Sequence, residues 1–372
     1  METQFVDDTG PGLIEAVRSM ASAPSVRGVL VVAADGNLPE TEALNPVLMD
    51  LPAPVFGGVF PEILHEGEKY DTGAVVTGLT VEPDVTVVPD LSDPGTEFGA
   101  TLPGSVSAGE TAFVLVDAYA TRVEEFVSSL FAAYGVDLNY VGGGAGSLDE
   151  EGRPCLFTNE GLVADAGVFA TVDTPTSVGV RHGWEEIAGP LRVTDAEGPT
   201  LSRLNGEPAF EVYRRIVEED AGVTIDPENF FEVAKSYPFG LSRLDGEKIV
   251  RDPFEVTDDG GLACFGTVPE GAFVHILRGD RDSLVDAAGT AYEDATGTGA
   301  SDRAGGDGEV LFFDCISRVL YLEDAFTEEL AAVGGDRSPR IGALTIGEIA
   351  NDGEGHLDYY NKTAVAAVTG EL

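Results

Sequence analysis

Cys315 and Arg318 stand three residues apart where a predicted buried strand, residues 310–314, comes to its end. A cysteine thiolate is a nucleophile, and it forms when a nearby cation or a helix N-terminus lowers the pKa of the thiol. Arg318 could supply that charge. We favour the alternative, a small buried cysteine beside a structural arginine, because no histidine lies near Cys315 in the sequence to act as a base.

Glu348 and Asn361 add polar groups from two further predicted strands. Glu348 and the run Asn361-Lys362-Thr363 lie at strand ends, so polar groups from three strands can meet at one sheet edge. Convergent polar groups on a rigid sheet are what a small-ligand pocket needs. In such a pocket Arg318 would bind a ligand carboxylate through two hydrogen bonds, and Glu348 would accept from an amine.

The run Gly142-Gly143-Gly144 follows a predicted strand but lacks the third spaced glycine of a dinucleotide-binding loop. Its simplest role is close backbone packing or a tight turn, and a ligand cradle formed by Gly143 and Gly144 is the alternative. The sequence contains no phosphate-binding loop, no nucleophile elbow and no zinc-binding helix. We therefore expect a binding module rather than an enzyme and assign no catalytic residue.

The four histidines, at positions 65, 182, 275 and 356, are too far apart to predict a metal site from their spacing. His182 is followed by a glycine and by the only tryptophan of the chain, which could shape the rim of a pocket. We expect no metal and no cofactor. If haem were bound, His182 is the residue that would serve as its axial ligand.

A pattern of strand, helix, strand and strand occurs three times, beginning at residues 28–33, 112–117 and 310–314. The helix of the second copy is the clearest, because its apolar residues recur at helical spacing: Val123, Phe126, Val127, Leu130, Phe131 and Tyr134. Polar turns are predicted at residues 66–68, 149–152 and 352–355. The sequence thus predicts an α/β (mixed α+β) fold, with mixed or largely antiparallel sheets flanked by helices and built from repeated units.

Two domains are expected from the length of 372 residues, at roughly 100–200 residues per domain. We place the first domain at residues 1–190 and the second at residues 200–372. A glycine- and aspartate-rich stretch, residues 296–308, predicts a mobile surface loop. Between the second and third copies the sequence predicts two helices, at residues 208–219 and 227–237, and three strands, at residues 248–256, 262–266 and 272–277.

The chain is strongly acidic: 66 Asp and Glu against 21 Lys and Arg leave a net charge of −45, while 43% of the residues are apolar. A surface this negative repels phosphate backbones and anionic lipid, so nucleic acid and membranes are excluded as partners. The self-repulsion destabilises a compact state unless salt screens it, which predicts a cytoplasmic protein of a salt-accumulating halophile. No signal peptide or membrane span is recognisable, and three distant cysteines predict reduced thiols.

The C-terminal residues resemble the closing pattern of FIST domains. In that family a Cys-x-x-Arg strand end, a Gly-Glu-Ile and an Asn-x-Thr occur in this order, and here they stand at residues 315–318, 347–349 and 361–363. Lys362 departs from the pattern, since the family usually has a glutamine-like residue there. The N-terminal half is similar to the family in its paired-glycine strands, residues 54–58 and 140–146, and in the Gly-Trp junction after His182.

The resemblance implies an intracellular sensory module of the stand-alone, halophilic archaeal type that binds a small ligand such as an amino acid. A histidine kinase or another signalling protein would be its partner. The residues expected to line or support the ligand pocket are Gly143, Gly144, Cys315, Arg318, Glu348 and Asn361. Some family members bind haem and report nitric oxide, so a haem-based sensor using His182 is the second hypothesis, and an enzyme with Cys315 as nucleophile is the third.

Overall fold

The structure, a computed structural model, describes residues 2–7, 10–36, 38–106, 110–148, 152–243, 247–297, 308–334, 341–351, 355–370 and 372. Most of the predicted loop at residues 296–308 lies outside these residues, as do most residues of the predicted turns at 149–152 and 352–355. Within the described ranges, no helix is both long enough and apolar enough to cross a membrane.

The strands of the described residues are, in chain order, β1 (Glu2–Val6), β2 (Gly28–Ala34), β3 (Val55–Phe60), β4 (Glu62–His65), β5 (Glu68–Tyr70), β6 (Ala74–Leu79), β7 (Asp84–Val88), β8 (Thr111–Asp117), β9 (Asn139–Ala145), β10 (Leu156–Thr158), β11 (Gly161–Val163), β12 (Gly167–Val172), β13 (Thr176–Arg181), β14 (Glu185–Glu197), β15 (Thr200–Leu204), β16 (Glu207–Pro208), β17 (Phe239–Leu241), β18 (Ile249–Val256), β19 (Leu262–Phe265), β20 (Phe273–Arg278), β21 (Glu309–Cys315), β22 (Ile341–Thr345), β23 (Glu348–Ala350), β24 (Asp358–Tyr360) and β25 (Ala364–Thr369). The helices are α1 (Pro11–Ala21), α2 (Thr41–Met49), α3 (Phe98–Thr101), α4 (Val123–Tyr134), α5 (Ala209–Ala221), α6 (Phe230–Ala234), α7 (Arg281–Thr296), α8 (Ile316–Leu322) and α9 (Phe326–Ala332), with a short 3-10 helix at Glu323–Ala325.

The three predicted copies form three sheets of the same topology. In each copy the first strand pairs in parallel with the glycine-bearing strand and antiparallel with the last strand: β2 with β3 and β6, β8 with β9 and β12, and β21 with β22 and β25. The prediction of a mixed α+β fold built from repeated strand-helix-strand-strand units is therefore confirmed.

Each sheet is completed by a hairpin that belongs to another copy. The hairpin β4–β5 of the first copy joins β22, β10–β11 of the second copy joins β3, and β23–β24 of the third copy joins β9. One antiparallel strand, β1, β7 or β13, lies at the opposite side of each sheet. The C-terminal copy therefore shares its sheets with the N-terminal half of the chain, and we call this interlocked unit the three-sheet body.

One glycine occupies the same place in all three sheets. Gly57, Gly142 and Gly342 each lie directly opposite a residue of the parallel neighbouring strand. A Cβ atom on any of them would overlap the carbonyl oxygen of that opposite residue. Only glycine permits this approach of the two backbones, which is why each copy carries a glycine in its third element.

Residues between β13 and α7 form a closed antiparallel barrel. Strands β14, β20, β17, β18, β19 and β15 pair in this order, and β14 pairs again with β15 to close the ring. Its core is rich in aromatic residues, among them Tyr213 of α5, Phe230 of α6 and Phe239 of β17. The barrel thus has its own apolar core, and Val250 and Leu277 on its outside share a second apolar cluster with residues of the three-sheet body.

Residues 341–349 do not form the continuous extended run that the sequence predicts. Strand β22 ends at Thr345, and β23 begins at Glu348 in a different sheet. Gly347 lies between them with a φ of 87°, a left-handed conformation that favours glycine. The helix predicted at residues 227–237 is also shorter, because Asp226 and Asn229 form a hydrogen-bonded turn before α6.

Candidate functional site

The residues that could do chemistry meet where the central strands of the third sheet end. Cys315 is the last residue of β21 and lies opposite Thr345, the last residue of β22. Glu348 begins β23, and Thr363 immediately precedes β25. The carboxyl ends of parallel strands share one sheet edge, and ligands of α/β proteins bind at such edges. The structure thus brings together side chains from four strand ends.

Glu348 is fully buried, and both of its carboxylate oxygens accept hydrogen bonds. Oε1 accepts from the Thr345 hydroxyl at 2.7 Å, and Oε2 accepts from the backbone N–H of Thr363 at 3.2 Å. Burial raises the pKa of Glu348 to about 8 in spite of these hydrogen bonds, because the charged form loses the solvation of water. Glu348 therefore exchanges its proton close to neutral pH.

Cys315 is a protonated thiol in this environment. Its sulfur accepts a hydrogen bond from the Ser317 hydroxyl at 3.0 Å, and the thiol hydrogen-bonds the Glu348 carboxylate. Burial, followed by the negative charge of Glu348, raises the pKa of Cys315 to about 12. A nucleophilic cysteine needs the opposite shift, so the geometry at Cys315 favours a binding role over a catalytic one.

Arg318 is fully buried in α8, and protein acceptors engage the five N–H donors of its guanidinium. Nε and Nη2 donate to one oxygen of Glu329 at 3.0 and 2.7 Å, and Nη2 also donates to the Leu284 carbonyl at 2.9 Å. Nη1 donates to the carbonyl oxygens of His182 and Lys362 at 2.7 and 3.4 Å. Arg318 thus supports the site by holding three backbone segments in place, at His182, Leu284 and Lys362.

Asp314 and Glu329 are two buried carboxyl groups beside Arg318. Asp314 Oδ1 lies 3.1 Å from Arg318 Nε, whereas Asp314 Oδ2 and Glu329 Oε2 are buried and have no hydrogen-bond partner among the other described residues. Burial, and then the negative charge of Glu329, raises the pKa of Asp314 well above its ordinary value. This direction favours a proton on Asp314, with Glu329 as the carboxylate that balances Arg318.

Lys362 connects these groups to the barrel. It has a positive φ of 51°, its N–H hydrogen-bonds the Cys315 sulfur, and its carbonyl accepts from Trp184 Nε1 at 3.1 Å. Its buried ammonium lies 3.0 Å from Asp252 Oδ2, donates to the Lys235 carbonyl at 3.1 Å and stands 5.2 Å from the centroid of the Trp184 ring. The residue that departs from the family pattern is therefore one of those that join the barrel to the three-sheet body.

Asn361 lies beside Lys362 at the edge of the cluster. Its side chain is nearly buried, and Nδ2 donates to the carbonyl of Phe265 at 3.5 Å. The ring of Phe265 is 45% exposed and packs against Phe254, with 4.5 Å between the ring centroids. The cluster is thus bordered by one polar amide and a pair of partly exposed aromatic rings.

Gly143 and Gly144 contact the turn that carries Glu348, not the Cys315 sulfur. The N–H of Gly144 donates to the Gly347 carbonyl at 2.8 Å, and the Ile346 N–H donates to the Gly144 carbonyl at 2.9 Å. A Cβ atom on Gly143 or Gly144 would overlap the backbone of this turn. The two glycines therefore support the site by letting the 346–347 turn pack closely against β9.

His182 already has a partner on each ring nitrogen. Nδ1 accepts from the backbone N–H of Trp184 at 2.8 Å, and Nε2 lies 2.7 Å from Glu247 Oε2. These contacts do not fit an axial haem ligand, because neither nitrogen can reach iron without giving up a hydrogen bond. The described part of the chain also contains no group of three or more His, Cys, Asp or Glu side chains arranged to hold a metal ion.

The barrel meets the three-sheet body along a polar seam, defined by ion pairs between the two. Within the described residues these pairs are His182–Glu247 at 2.7 Å, Arg181–Glu247 at 3.8 Å, Lys362–Asp252 at 3.0 Å, Arg251–Glu124 at 3.9 Å and Arg243–Asp358. The cluster around Cys315 and Glu348 lies against this seam through Lys362. Junctions between two packed units are common ligand sites, because small relative movements there open space.

Two residues of the site do not follow from the sequence reasoning. Asp252 and Glu329 hold Lys362 and Arg318 in place, whereas Trp184 attracts attention in the sequence as the only tryptophan. A usable signal exists at Asp252, because it directly follows Arg251 within the strand predicted at residues 248–256. A charged pair inside a buried strand indicates internal ion pairing.

Two protein-family models match the chain. The model described as the FIST N domain matches residues 28–207, and the model described as the FIST C domain matches residues 209–351. No curated protein matches. The two matches meet just before α5, so the C-terminal one contains most of the barrel together with Cys315, Arg318 and Glu348, and the N-terminal one contains Gly143, Gly144 and His182.

Proposed function

Because the chain belongs to the family of proteins that carry a FIST N domain followed by a FIST C domain, generally sensory modules that bind small ligands, we propose that it senses a small polar metabolite at the seam. An amino acid is the first candidate ligand. The observation that carries this proposal is that Cys315 and Glu348 both hydrogen-bond the backbone of residues 362–363, beside Asn361, where the three-sheet body meets the barrel.

The buried groups suit a ligand that carries hydrogen-bond donors. Glu348 takes up or releases a proton near neutral pH, so it can accept from an amine as a carboxylate. Asn361 offers both an amide donor and an acceptor at the edge of the cluster. Arg318, Gly143 and Gly144 support this arrangement, because they fix the backbone on either side of it.

A ligand at the seam can act on the position of the barrel. The seam contains several ion pairs, and such pairs respond to any new charge placed among them more readily than an apolar contact does. We propose that ligand binding changes how the barrel rests on the three-sheet body, and that a histidine kinase or another signalling protein reads this change. The net charge of −45 supports a cytoplasmic protein of a halophilic archaeon.

Co-purification and binding test the proposal directly. Protein purified in multi-molar potassium chloride is analysed by mass spectrometry for bound metabolites, and a labelled amino-acid panel is then titrated by equilibrium dialysis. We expect saturable binding that Glu348→Gln weakens at least about tenfold, with Glu328→Gln, an exposed carboxylate on α9, as the matched control. An absence of any co-purified metabolite together with no saturable binding would exclude the proposal.

A further inference from the structure

Asp252 has one carboxylate oxygen with no partner. The residue is 4% exposed on β18, and its Oδ2 lies 3.0 Å from the Lys362 ammonium. Its Oδ1 is buried and has no hydrogen-bond partner among the described residues. A buried carboxylate oxygen without a donor is costly, so this position calls for a hydrogen-bond donor that the described residues do not supply.

Lys362 cannot supply that donor, because its ammonium is already engaged. Its contacts are Asp252 Oδ2, the Lys235 carbonyl at 3.1 Å and the face of the Trp184 ring. An ammonium has three N–H donors, which these three contacts account for. The partner of Asp252 Oδ1 must therefore come from outside the described residues.

An exposed aromatic residue lies opposite Asp252 on the neighbouring strand. Phe265 of β19 lies directly opposite Asp252 of β18, and side chains of directly opposed residues project from the same face of a sheet. The Phe265 ring is 45% exposed and packs on Phe254. A carboxylate next to an accessible aromatic face is the combination that attracts an organic cation.

The contacts of Asp252 also favour a cation. Among the described residues, Lys362 is the cation that lies within ion-pair distance of Asp252, and it reaches only Oδ2, so Oδ1 stays without a donor. A ligand ammonium would supply that donor, whereas a ligand anion would be repelled by the carboxylate.

We propose that Asp252 and Phe265 form a subsite for the ammonium group of a small amine whose apolar or aromatic body packs on the Phe265–Phe254 pair. The inference rests on the proposed function, because it concerns the same seam, and it narrows the ligand class from polar metabolites to organic cations. The ammonium donates to Asp252 Oδ1 while Lys362 keeps Oδ2, so both oxygens of the carboxylate are satisfied. No covalent step is involved.

Three probes separate the contributions of charge and ring. Phenethylamine carries an ammonium and a ring, 3-phenylpropanoate carries a carboxylate and a ring, and n-butylamine carries an ammonium without a ring. Each is titrated into the full chain in potassium chloride by isothermal titration calorimetry, with the emission of the single tryptophan, Trp184, as a second readout. We expect phenethylamine to bind most tightly, butylamine more weakly and phenylpropanoate not at all.

Two variants and two controls test the residues. Asp252→Asn should weaken phenethylamine binding at least about tenfold, and Phe265→Ala should weaken it several-fold. Asp259→Asn, in an exposed turn of the barrel, and Phe273→Ala, an exposed aromatic on β20, should leave it unchanged. Phe265 is at the surface, so its variant keeps the test open if Asp252→Asn fails to fold.

Other outcomes overturn the subsite. Phenylpropanoate binding as tightly as phenethylamine, amine binding that neither variant changes, or no amine binding at millimolar concentration would each reject it. An amino acid that binds in a Glu348-dependent way but is indifferent to Asp252→Asn would reject the subsite and leave the proposed sensory function intact. These experiments therefore distinguish failure of the Asp252–Phe265 subsite from failure of the proposed sensory function.

Discussion

The carbonyl oxygen of Lys362 accepts the indole N–H of Trp184 at 3.1 Å, while the ammonium of the same lysine stands 5.2 Å from the centroid of that indole ring. Trp184 begins the passage from the three-sheet body into the barrel, and Lys362 lies two residues before β25. Lys362 is thus held against Trp184 through both its backbone carbonyl and its charged side chain. Movement of the barrel must change at least one of these contacts.

We predict that Lys362→Ala lowers the free energy of unfolding by about 3–5 kcal/mol, because it leaves Asp252 buried without a counter-charge. Urea unfolding in potassium chloride measures the change. Lys248→Ala, which removes a half-exposed pair with Glu186, is the control and should cost at most about 1 kcal/mol. In the double variant Asp252→Ala/Lys362→Ala the loss should be smaller than the sum of the two single losses; strict additivity would contradict the pairing.

We predict that Asp314→Asn changes the stability by no more than about 1 kcal/mol at neutral pH, because Asp314 is already uncharged there. Arg318→Ala should cost about 3–5 kcal/mol, because it leaves Glu329 buried without its cation. The free energies of unfolding of the wild type and both variants, measured by urea unfolding, test these two predictions. If Asp314→Asn proved the more damaging change, the assignment of the proton to Asp314 would be wrong.

We predict that stability falls between about pH 4.5 and pH 8 through Glu348. Its folded pKa, about 8, lies above its ordinary value of 4.5, so the folded state binds the proton more tightly than the unfolded state does. The resulting stability is fully present below pH 4.5, decreases as the pH rises and is lost above pH 8, a change of at most about 5 kcal/mol.

Glu348→Gln isolates this contribution, because glutamine does not titrate. Unfolding free energies of variant and wild type are measured from pH 5 to 9 at constant potassium chloride. The variant profile should be flatter, and the difference between the two proteins should change most below pH 8. Parallel profiles over the whole range would show that Glu348 does not carry a raised pKa.

We predict that none of the three cysteines reacts with a thiol reagent in the folded protein at pH 8. Cys155, Cys264 and Cys315 are free and buried, and burial raises the pKa of each thiol. Titration with dithionitrobenzoate should detect three thiols after unfolding in guanidinium chloride and fewer than one before. Fast reaction of one native thiol that Cys315→Ser abolishes would revive the nucleophile hypothesis.

We predict that the thermal midpoint rises between 0.1 M and 3 M potassium chloride. At 0.1 M the Debye length is about 10 Å and at 1 M it is about 3 Å, so only concentrated salt screens a net charge of −45. Circular dichroism melts measure the midpoint, and sucrose at matched water activity separates screening from general solute exclusion. A midpoint that sucrose raises as much as salt does would argue against charge screening.

The repeated sheets were predictable because their signals are local. Alternation of apolar residues, helical spacing from Val123 to Tyr134 and the recurring glycines are properties of short segments. Helix α7 was not predicted, because its buried face consists mainly of alanines, which give a weak apolar pattern. The break between Thr345 and Glu348 was missed because both halves are apolar, and only the different sheet partners separate them.

The candidate site was predictable in part. Cys315, Glu348 and Asn361 were expected to meet at one sheet edge, and the structure places them around Lys362. The expected direct role of Arg318 toward a ligand carboxylate stays a prediction, and in this structure its donors are engaged by the protein. The acceptors that hydrogen-bond an arginine come from segments far apart in the chain, and the residue types alone do not show which segments these are.

By itself the sequence determined the repeated units, the mixed α+β class, the acidic surface and the order of the site motifs, because composition and local periodicity decide these properties. Only the tertiary structure decided that each copy contributes a hairpin to the sheet of another copy, that the barrel closes, and that Asp252 forms an ion pair with Lys362 across the seam. These are choices among long-range partners, and each is settled by the packing and charge balance of the whole chain rather than by any one segment.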